Sequence, residues 1–146
     1  MLPIAEFIAS LCSFIFAGAA IYINVVEHPA RMACGTTLAA TVWAPSYKRA
    51  TLMQAPLALL SLLAGVSAWL LGAGGWWLAG ALLIGLVIPF TFMVIMPTNQ
   101  QLLTSGRDLA STETRALLVK WAQLHAVRSV LSTAAALIFL IELIRT

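Results

Sequence analysis

Residues 78–96 read LAGALLIGLVIPFTFMVIM, a stretch that contains no charged side chain. A bilayer core about 30 Å thick requires roughly 20 consecutive apolar residues in a helix, so this stretch predicts a transmembrane helix. The whole chain has a similar character, with 62% hydrophobic and only 9% charged residues over its 146 positions. Such a composition is far from that of a soluble globular protein. We therefore predict an integral membrane protein whose main partner is the lipid bilayer.

Three further apolar stretches, at about 4–26, 50–71 and 118–144, are long enough to cross the membrane. The segments between them are short, so consecutive helices should run antiparallel. The predicted fold is all-α, an up-and-down four-helix transmembrane bundle that forms one domain over residues 1–146. The fourth helix should begin near Ser111 or Thr112, one of which would act as its N-cap.

The basic residues are distributed unequally between the two ends of the predicted bundle. One end carries Arg31, Lys48, Arg49, Arg107, Arg115, Lys120 and Arg128, whereas the other carries Arg145 alone. The positive-inside rule predicts that the basic end is cytoplasmic, so both termini should be periplasmic in a bacterial inner membrane. The net charge of +3 follows from this asymmetry, and we predict no nucleic-acid partner. A homo-oligomer is possible.

Polar side chains recur along one stripe of the fourth helix. Trp121, His125, Arg128 and Ser132 follow one another at spacings of four, three and four, which places them on one face. This face should contact protein because a charge exposed to lipid is costly. Glu27, at the same end of the first helix, is the predicted partner of Arg128.

Polar residues of the other three helices should lie at the same depth as this stripe. Pro29 disfavours helical geometry at His28, so we expect the first helix to break or bend there, which would turn His28 toward the bundle centre. The remaining members of the predicted cluster are Arg31, Tyr47, Arg49, Gln54 and Asn99. Each residue alone could be a headgroup contact or a packing residue. Their joint occurrence favours a functional pocket, because buried polar residues are rare in membranes.

Several short motifs of the chain resemble those of the anthrone oxygenase-like family of small four-helix membrane proteins. The resemblance covers most of the chain and is carried by Glu27-His28-Pro29-Ala30-Arg31, Pro45-Ser46-Tyr47-Lys48-Arg49, Met53-Gln54-Ala55-Pro56, Met96-Pro97-Thr98-Asn99 and the segment from Trp121 to Arg128. It implies a membrane oxygenase that inserts oxygen into a hydrophobic aromatic or quinone-like molecule, with no tightly held organic cofactor. Many bacterial members of the family have no assigned activity.

Oxygenation without a cofactor requires a base, a group that stabilises an oxyanion, and an apolar chamber. His125 or His28 suits the role of base, since the unperturbed pKa of histidine is about 6.5. Arg128, with Arg31, is the predicted oxyanion stabiliser. The predicted catalytic group consists of His125, His28, Arg128 and Glu27. Substrate binding is assigned to Asn99, Tyr47, Arg31, Arg49, Gln54 and Trp121. An apolar substrate could reach this pocket sideways from the membrane.

Two other functions are compatible with the same residues. His28, His125 and Glu27 have the composition of a non-haem iron triad, and the two histidines could instead bind haem or copper. We favour neither a metal nor a haem, because nearby arginines repel a cation. A non-enzymatic quinone-binding, transport or assembly subunit, with Glu27 and Arg128 as a structural clamp, is the third possibility.

Overall fold

Four long helices make up the chain in a computed structural model that describes residues 1–145. They are α1 (Leu2–Ala33), α2 (Thr36–Leu70), α3 (Gly75–Leu102) and α4 (Thr112–Arg145), each long and apolar enough to cross a membrane. The described residues contain no strand. The predicted all-α four-helix bundle is therefore confirmed, and these helices indicate an integral membrane protein.

The helices form a ring in which α1 contacts α2 and α4, and α3 also contacts α2 and α4. Three layers of buried side chains fill its interior. The layer nearest the α1–α2 connection contains Trp43 and Trp121, the middle layer contains Phe16, and the third contains Trp77 and Phe139. In the third layer a Cβ at Gly80 would lie 2.5 Å from the Phe139 ring, so glycine permits this close approach.

The second helix begins much earlier than the sequence pattern predicts. The second apolar stretch begins at about residue 50, but α2 is continuous from Thr36 and contains both Pro45 and Pro56. Buried Ala39, Ala40 and Trp43 pack into the first layer of the core and stabilise this extension. A helix of 35 residues is about 52 Å long, which exceeds the bilayer core. The membrane boundaries at 4–26, 50–71, 78–96 and 118–144 remain predictions.

We predicted a break or a bend at Pro29, and of these the structure excludes the break. A π-helical turn, Ile23–Glu27, precedes the proline and the helix continues to Ala33. Proline lacks an N–H and clashes with the carbonyl four residues earlier, and a wider turn accommodates both effects. A second π turn, Thr91–Ile95, stands in the same relation to Pro97 of α3. His28 is nevertheless buried in the bundle, without any break.

The start of the last helix agrees with the prediction. The backbone N–H of Thr114 donates to the Ser111 hydroxyl at 3.1 Å, so Ser111 is the N-cap of α4. The Thr114 hydroxyl in turn donates to the Asp108 carbonyl at 2.7 Å, which ties the preceding loop to the helix.

Candidate functional site

His125 lies in the bundle interior and contacts a polar residue of the neighbouring helix. Its Nδ1 atom is 2.7 Å from Oδ1 of Asn24, which belongs to the π turn of α1. The Ser129 hydroxyl donates to the same Oδ1 at 2.7 Å, and Nδ2 of Asn24 donates to the Ala122 carbonyl at 3.0 Å. Asn24 therefore fixes one edge of the His125 ring to α1.

His28 belongs to a different network, which is centred on Arg31. The Arg31 Nε donates to His28 Nδ1 at 3.2 Å, and its Nη1 lies 3.2 Å from Oε1 of Glu27. The Ser46 hydroxyl of α2 donates to the same Glu27 oxygen at 2.6 Å. The guanidinium of Arg31 thus joins the carboxylate to the imidazole, and it occupies the Nδ1 lone pair of His28.

Trp121 separates these two networks. Its ring centroid lies 5.3 Å from that of His28 and 4.9 Å from that of His125. The Arg31 guanidinium carbon lies 5.6 Å from the indole centroid, a distance at which a cation is attracted to the ring face. Trp43 packs edge-on against Trp121 at 5.7 Å and stacks on Tyr47 at 5.1 Å. Three residues of the predicted stripe of α4, Trp121, His125 and Ser132, are buried as expected, whereas Arg128 is partly buried.

Arg128 does not pair with Glu27, which corrects our prediction. Its Nη2 donates to Oε1 of Gln54 on α2 at 2.8 Å, and its guanidinium carbon lies 5.4 Å from the Phe16 ring centroid. Glu27 is instead held by Arg31 and Ser46, as described above. Two buried donors, Gln54 Nε2 and Arg128 Nε, have no hydrogen-bond partner within residues 1–145.

Two cavities adjoin Arg128. The smaller one, about 10 Å³, is lined by residues of α1, α2 and α4; we call it the His125 cavity, and its lining is Ile23, Arg31, Ser46, Tyr47, Ala50, Thr51, Gln54, Trp121, His125 and Arg128. The other is about 100 Å³ and lies between α2 and α3; we call it the lateral cleft, and its lining is Phe16, Tyr47, Thr51, Gln54, Ala55, Ala58, Val87, Ile88, Thr91, Phe92, Met96 and Arg128. Tyr47, Thr51, Gln54 and Arg128 line both.

The lateral cleft has an apolar wall and an open side. Phe92 is 65% exposed at its rim, and Ala55 is also exposed. The cleft therefore opens to the outside of the bundle beside Arg128 and Gln54. A larger groove of about 480 Å³ lies between α1 and α2 at the other end of the bundle. No titratable side chain lines that groove.

Two predicted substrate-binding residues lie outside both cavities. Arg49 is exposed, and it lines neither the His125 cavity nor the lateral cleft. Asn99 is completely buried, and within residues 1–145 neither its Oδ1 nor its Nδ2 has a hydrogen-bond partner. Tyr47, Gln54, Arg31 and Trp121 do meet around the His125 cavity, together with His125 and Arg128. His28 contacts Trp121 behind this cavity.

The arrangement does not fit the metal set His28, His125 and Glu27. Arg31 uses both the Glu27 carboxylate and the Nδ1 lone pair of His28, and its positive charge opposes a cation there. No group of three or more histidine, cysteine, aspartate or glutamate side chains in the described part of the chain is arranged to hold a metal ion. A haem between the histidines does not fit either, because Trp121 contacts both rings and the cavity beside them is about 10 Å³.

Sequence reasoning missed three polar residues of the site. Asn24 and Ser129 form the network around His125, and Ser46 holds Glu27. Ser129 stands four residues after His125, and Asn24 four residues before His28, so both follow the helical spacing that identified the stripe. The contact between Asn24 and Ser129 joins two helices, and no local pattern reveals it.

Comparison with known proteins supports a common family. The model of the anthrone oxygenase family matches residues 43–138. Anthrone oxygenase tpcL of Aspergillus fumigatus is 40% identical over 62 residues, which cover 40% of this chain and 38% of that protein. Anthrone oxygenase nsrD of Aspergillus novofumigatus is 48% identical over 46 residues, which cover 30% and 28%. These matches thus span well under half the length of either curated relative.

No solved structure matches the chain significantly. The family match includes Tyr47, Gln54, Trp121, His125 and Arg128, which line the His125 cavity, and excludes the α1 residues Asn24, His28 and Arg31. The predicted resemblance is thus confirmed over more than half of the sequence. The chain belongs to the anthrone oxygenase family.

Proposed function

We propose that this protein is a membrane oxygenase that uses dioxygen to convert an activated CH2 group of a lipophilic phenolic aromatic, an anthrone or a close relative, into a carbonyl. The observation that carries the proposal is the position of Arg128 and Gln54, which form the common wall of the lateral cleft and the His125 cavity. Family membership supports the same reaction class.

The lateral cleft is suited to an apolar ring system that arrives from the bilayer. Its lining is mainly apolar, and its polar members are Tyr47, Thr51, Gln54, Thr91 and Arg128. Gln54 Oε1 accepts from Arg128, and two buried donors beside this contact, Nε2 of Gln54 and Nε of Arg128, have no hydrogen-bond partner within residues 1–145. A substrate oxygen placed here would meet a neutral amide and a guanidinium. Both stabilise the negative charge that develops when the substrate is deprotonated.

His125 is our proposed base, and the small cavity connects it to the substrate. A volume of about 10 Å³ is close to the lower limit for one water molecule. A water at that position would relay a proton from the lateral cleft to His125, because general bases act directly or through one water. His28 is less suited to this role, since Arg31 already donates to its Nδ1 atom.

The proposed reaction balances without a further redox partner. The base removes one proton from the CH2 group, and the resulting carbanion, delocalised onto the phenolate oxygen, reduces dioxygen. A C–O bond forms and gives a hydroperoxide. Loss of water from the hydroperoxide breaks the O–O bond and leaves a carbonyl. One oxygen atom of O2 remains in the product, and the other leaves as water with both hydrogens of the CH2 group.

Reconstituted protein provides the test of this function. Protein in lipid nanodiscs is supplied with an anthrone under 18O2, and oxygen uptake and 18O in the quinone product are measured. We expect one labelled oxygen per product, with a rate that falls about 10²- to 10⁴-fold in His125→Ala. Absence of uptake above that of empty nanodiscs across a set of anthrones and hydroquinones would contradict the oxygenase function. Failure of His125→Ala to assemble would instead favour a structural role for His125.

A further inference from the structure

We propose that Asn24 is a positioning residue that holds His125 in the tautomer with its proton on Nδ1 and leaves Nε2 as the basic nitrogen. The catalytic consequence rests on the proposed function, whereas the tautomer itself does not. The inference concerns a residue of α1 that lies outside the segment matched by the family model.

The orientation of the Asn24 amide follows from its neighbour on α4. The Ala122 carbonyl lies 3.0 Å from Nδ2, and a carbonyl oxygen can only accept. The opposite orientation would place two acceptor oxygens in contact and lose this hydrogen bond. Oδ1 of Asn24 therefore faces His125 and Ser129.

The protonation of His125 follows from that orientation. Oδ1 has two lone pairs, and the Ser129 hydroxyl donates to it at 2.7 Å. The Nδ1 atom of His125 also lies 2.7 Å from Oδ1 of Asn24. Because an amide oxygen can only accept, Nδ1 must be the donor of this hydrogen bond. A neutral imidazole with its proton on Nδ1 carries its free lone pair on Nε2.

The second histidine should have the opposite tautomer. Arg31 Nε can only donate, so the Nδ1 atom of His28 is an acceptor and the proton of a neutral His28 ring lies on Nε2. The chain contains only these two histidines. Their protonation states can therefore be separated in one spectrum, and His28 serves as an internal reference.

The π turn explains why Asn24 can perform this function. Asn24 belongs to the turn Ile23–Glu27, just before Pro29, and the buried Ile23 anchors that turn in the first core layer. π turns inside α-helices occur frequently at functional sites, because they change which side chains face a neighbouring helix. Here the turn presents an amide to the backbone and side chains of α4.

The test is the 15N spectrum of full-length protein with labelled histidines, in nanodiscs, at a pH where both rings are neutral. Protonated and unprotonated ring nitrogens give well-separated shifts, and His28→Gln assigns the two rings. We expect His125 to be protonated at Nδ1 and His28 at Nε2. A wild-type His125 with its proton on Nε2 would overturn the proposal, whether or not any variant folds.

Three variants extend the test. Asn24→Leu removes the acceptor, so the proton of His125 should move to Nε2. Asn24→Asp retains an acceptor and should keep the proton of His125 on Nδ1. Ser129→Ala leaves Asn24 in place and should not change the tautomer. An unchanged His125 tautomer in folded Asn24→Leu would contradict the role of Asn24.

Kinetics then separate this proposal from the proposed function. With an anthrone substrate, Asn24→Leu should lower kcat by about 10²-fold or more, up to the full contribution of a general base, with little change in KM. Asn24→Asp should recover most of that loss. The expected tautomers in a protein without oxygenase activity would reject the function and retain the positioning role. Oxygenase activity in a protein whose His125 carries its proton on Nε2 would retain the proposed function and reject the positioning role of Asn24.

Discussion

Nη2 of Arg128 on α4 donates to Oε1 of Gln54 on α2 at 2.8 Å, across the wall between the two cavities. This contact orients the Gln54 amide, whose buried Nε2 atom has no hydrogen-bond partner within residues 1–145. Among the same residues no carboxylate forms a salt bridge with Arg128. A cation in an apolar membrane bundle is costly when unpaired. The position of Arg128 beside the lateral cleft therefore supports a role for its charge in the proposed reaction.

Arg128→Lys should therefore lower kcat about 10²- to 10³-fold while the protein stays folded. Lysine keeps the charge, but it lacks the planar set of donors that holds Gln54 and a substrate oxygen together. The measurement is steady-state oxygen uptake in nanodiscs. Arg145→Lys, at the other end of the same helix and with a side chain that is 65% exposed, is the matched control and should not alter the rate. Equal rates for both variants would exclude Arg128 as the oxyanion group.

A bulky residue in the lateral cleft should hinder lipophilic substrates. Ala55 lines the cleft and is exposed, so Ala55→Trp narrows the opening without overpacking the core. We expect KM for an anthrone to rise about 10-fold, as the loss of about 1.4 kcal/mol of binding would produce. Ser67→Trp on the same helix fills the groove at the other end and provides the control. An unchanged KM in Ala55→Trp would show that substrate reaches the site by another route.

Replacement of Glu27 should destabilise the protein. Glu27→Gln removes the carboxylate that accepts from Ser46 and neutralises the buried Arg31, so we expect a loss of about 1–3 kcal/mol in the free energy of unfolding. Glu142→Gln breaks the pair with Arg145, whose side chain is 65% exposed, and should cost less than about 0.5 kcal/mol. Unfolding in matched detergent micelles gives the comparison. Similar losses for both variants would mean that the Arg31 network contributes little.

Cys34 offers a direct test of membrane orientation. It is exposed, close to the short connection between α1 and α2, whereas Cys12 is buried. The positive-inside rule places this end in the cytoplasm, so a membrane-impermeant maleimide should label Cys34 in inside-out vesicles but not in intact cells. The double variant Cys34→Ser/Arg145→Cys carries its exposed cysteine at the other end of the bundle. It should be labelled in intact cells but not in inside-out vesicles. Labelling of Cys34 in intact cells would invert the predicted topology.

The location in a bacterial inner membrane stays a prediction, and the curated relatives described above are fungal.

Apolar length and helical spacing were sufficient to predict the four-helix fold and a buried face of α4. The spacing of Trp121, His125 and Arg128 identified a face that is buried as expected for Trp121 and His125. Proline patterns were less informative. Pro29 predicted a break or a bend, but a π turn accommodates it without a break, and Pro45 lies inside a continuous helix because Trp43 and its neighbours pack in the core. Tertiary packing thus outweighs a local preference of a few kcal/mol.

Four apolar helices, their antiparallel order and the concentration of polar residues at one end can all be read from the amino-acid sequence. These properties depend on hydrophobic length and on charge, which are local quantities. The partners of those polar residues become visible in the folded bundle alone, namely Gln54 for Arg128, Arg31 for Glu27 and Asn24 for His125. Two of these pairs join different helices. A hydrogen bond requires distances within a few tenths of an ångström, and these depend on how the whole bundle packs.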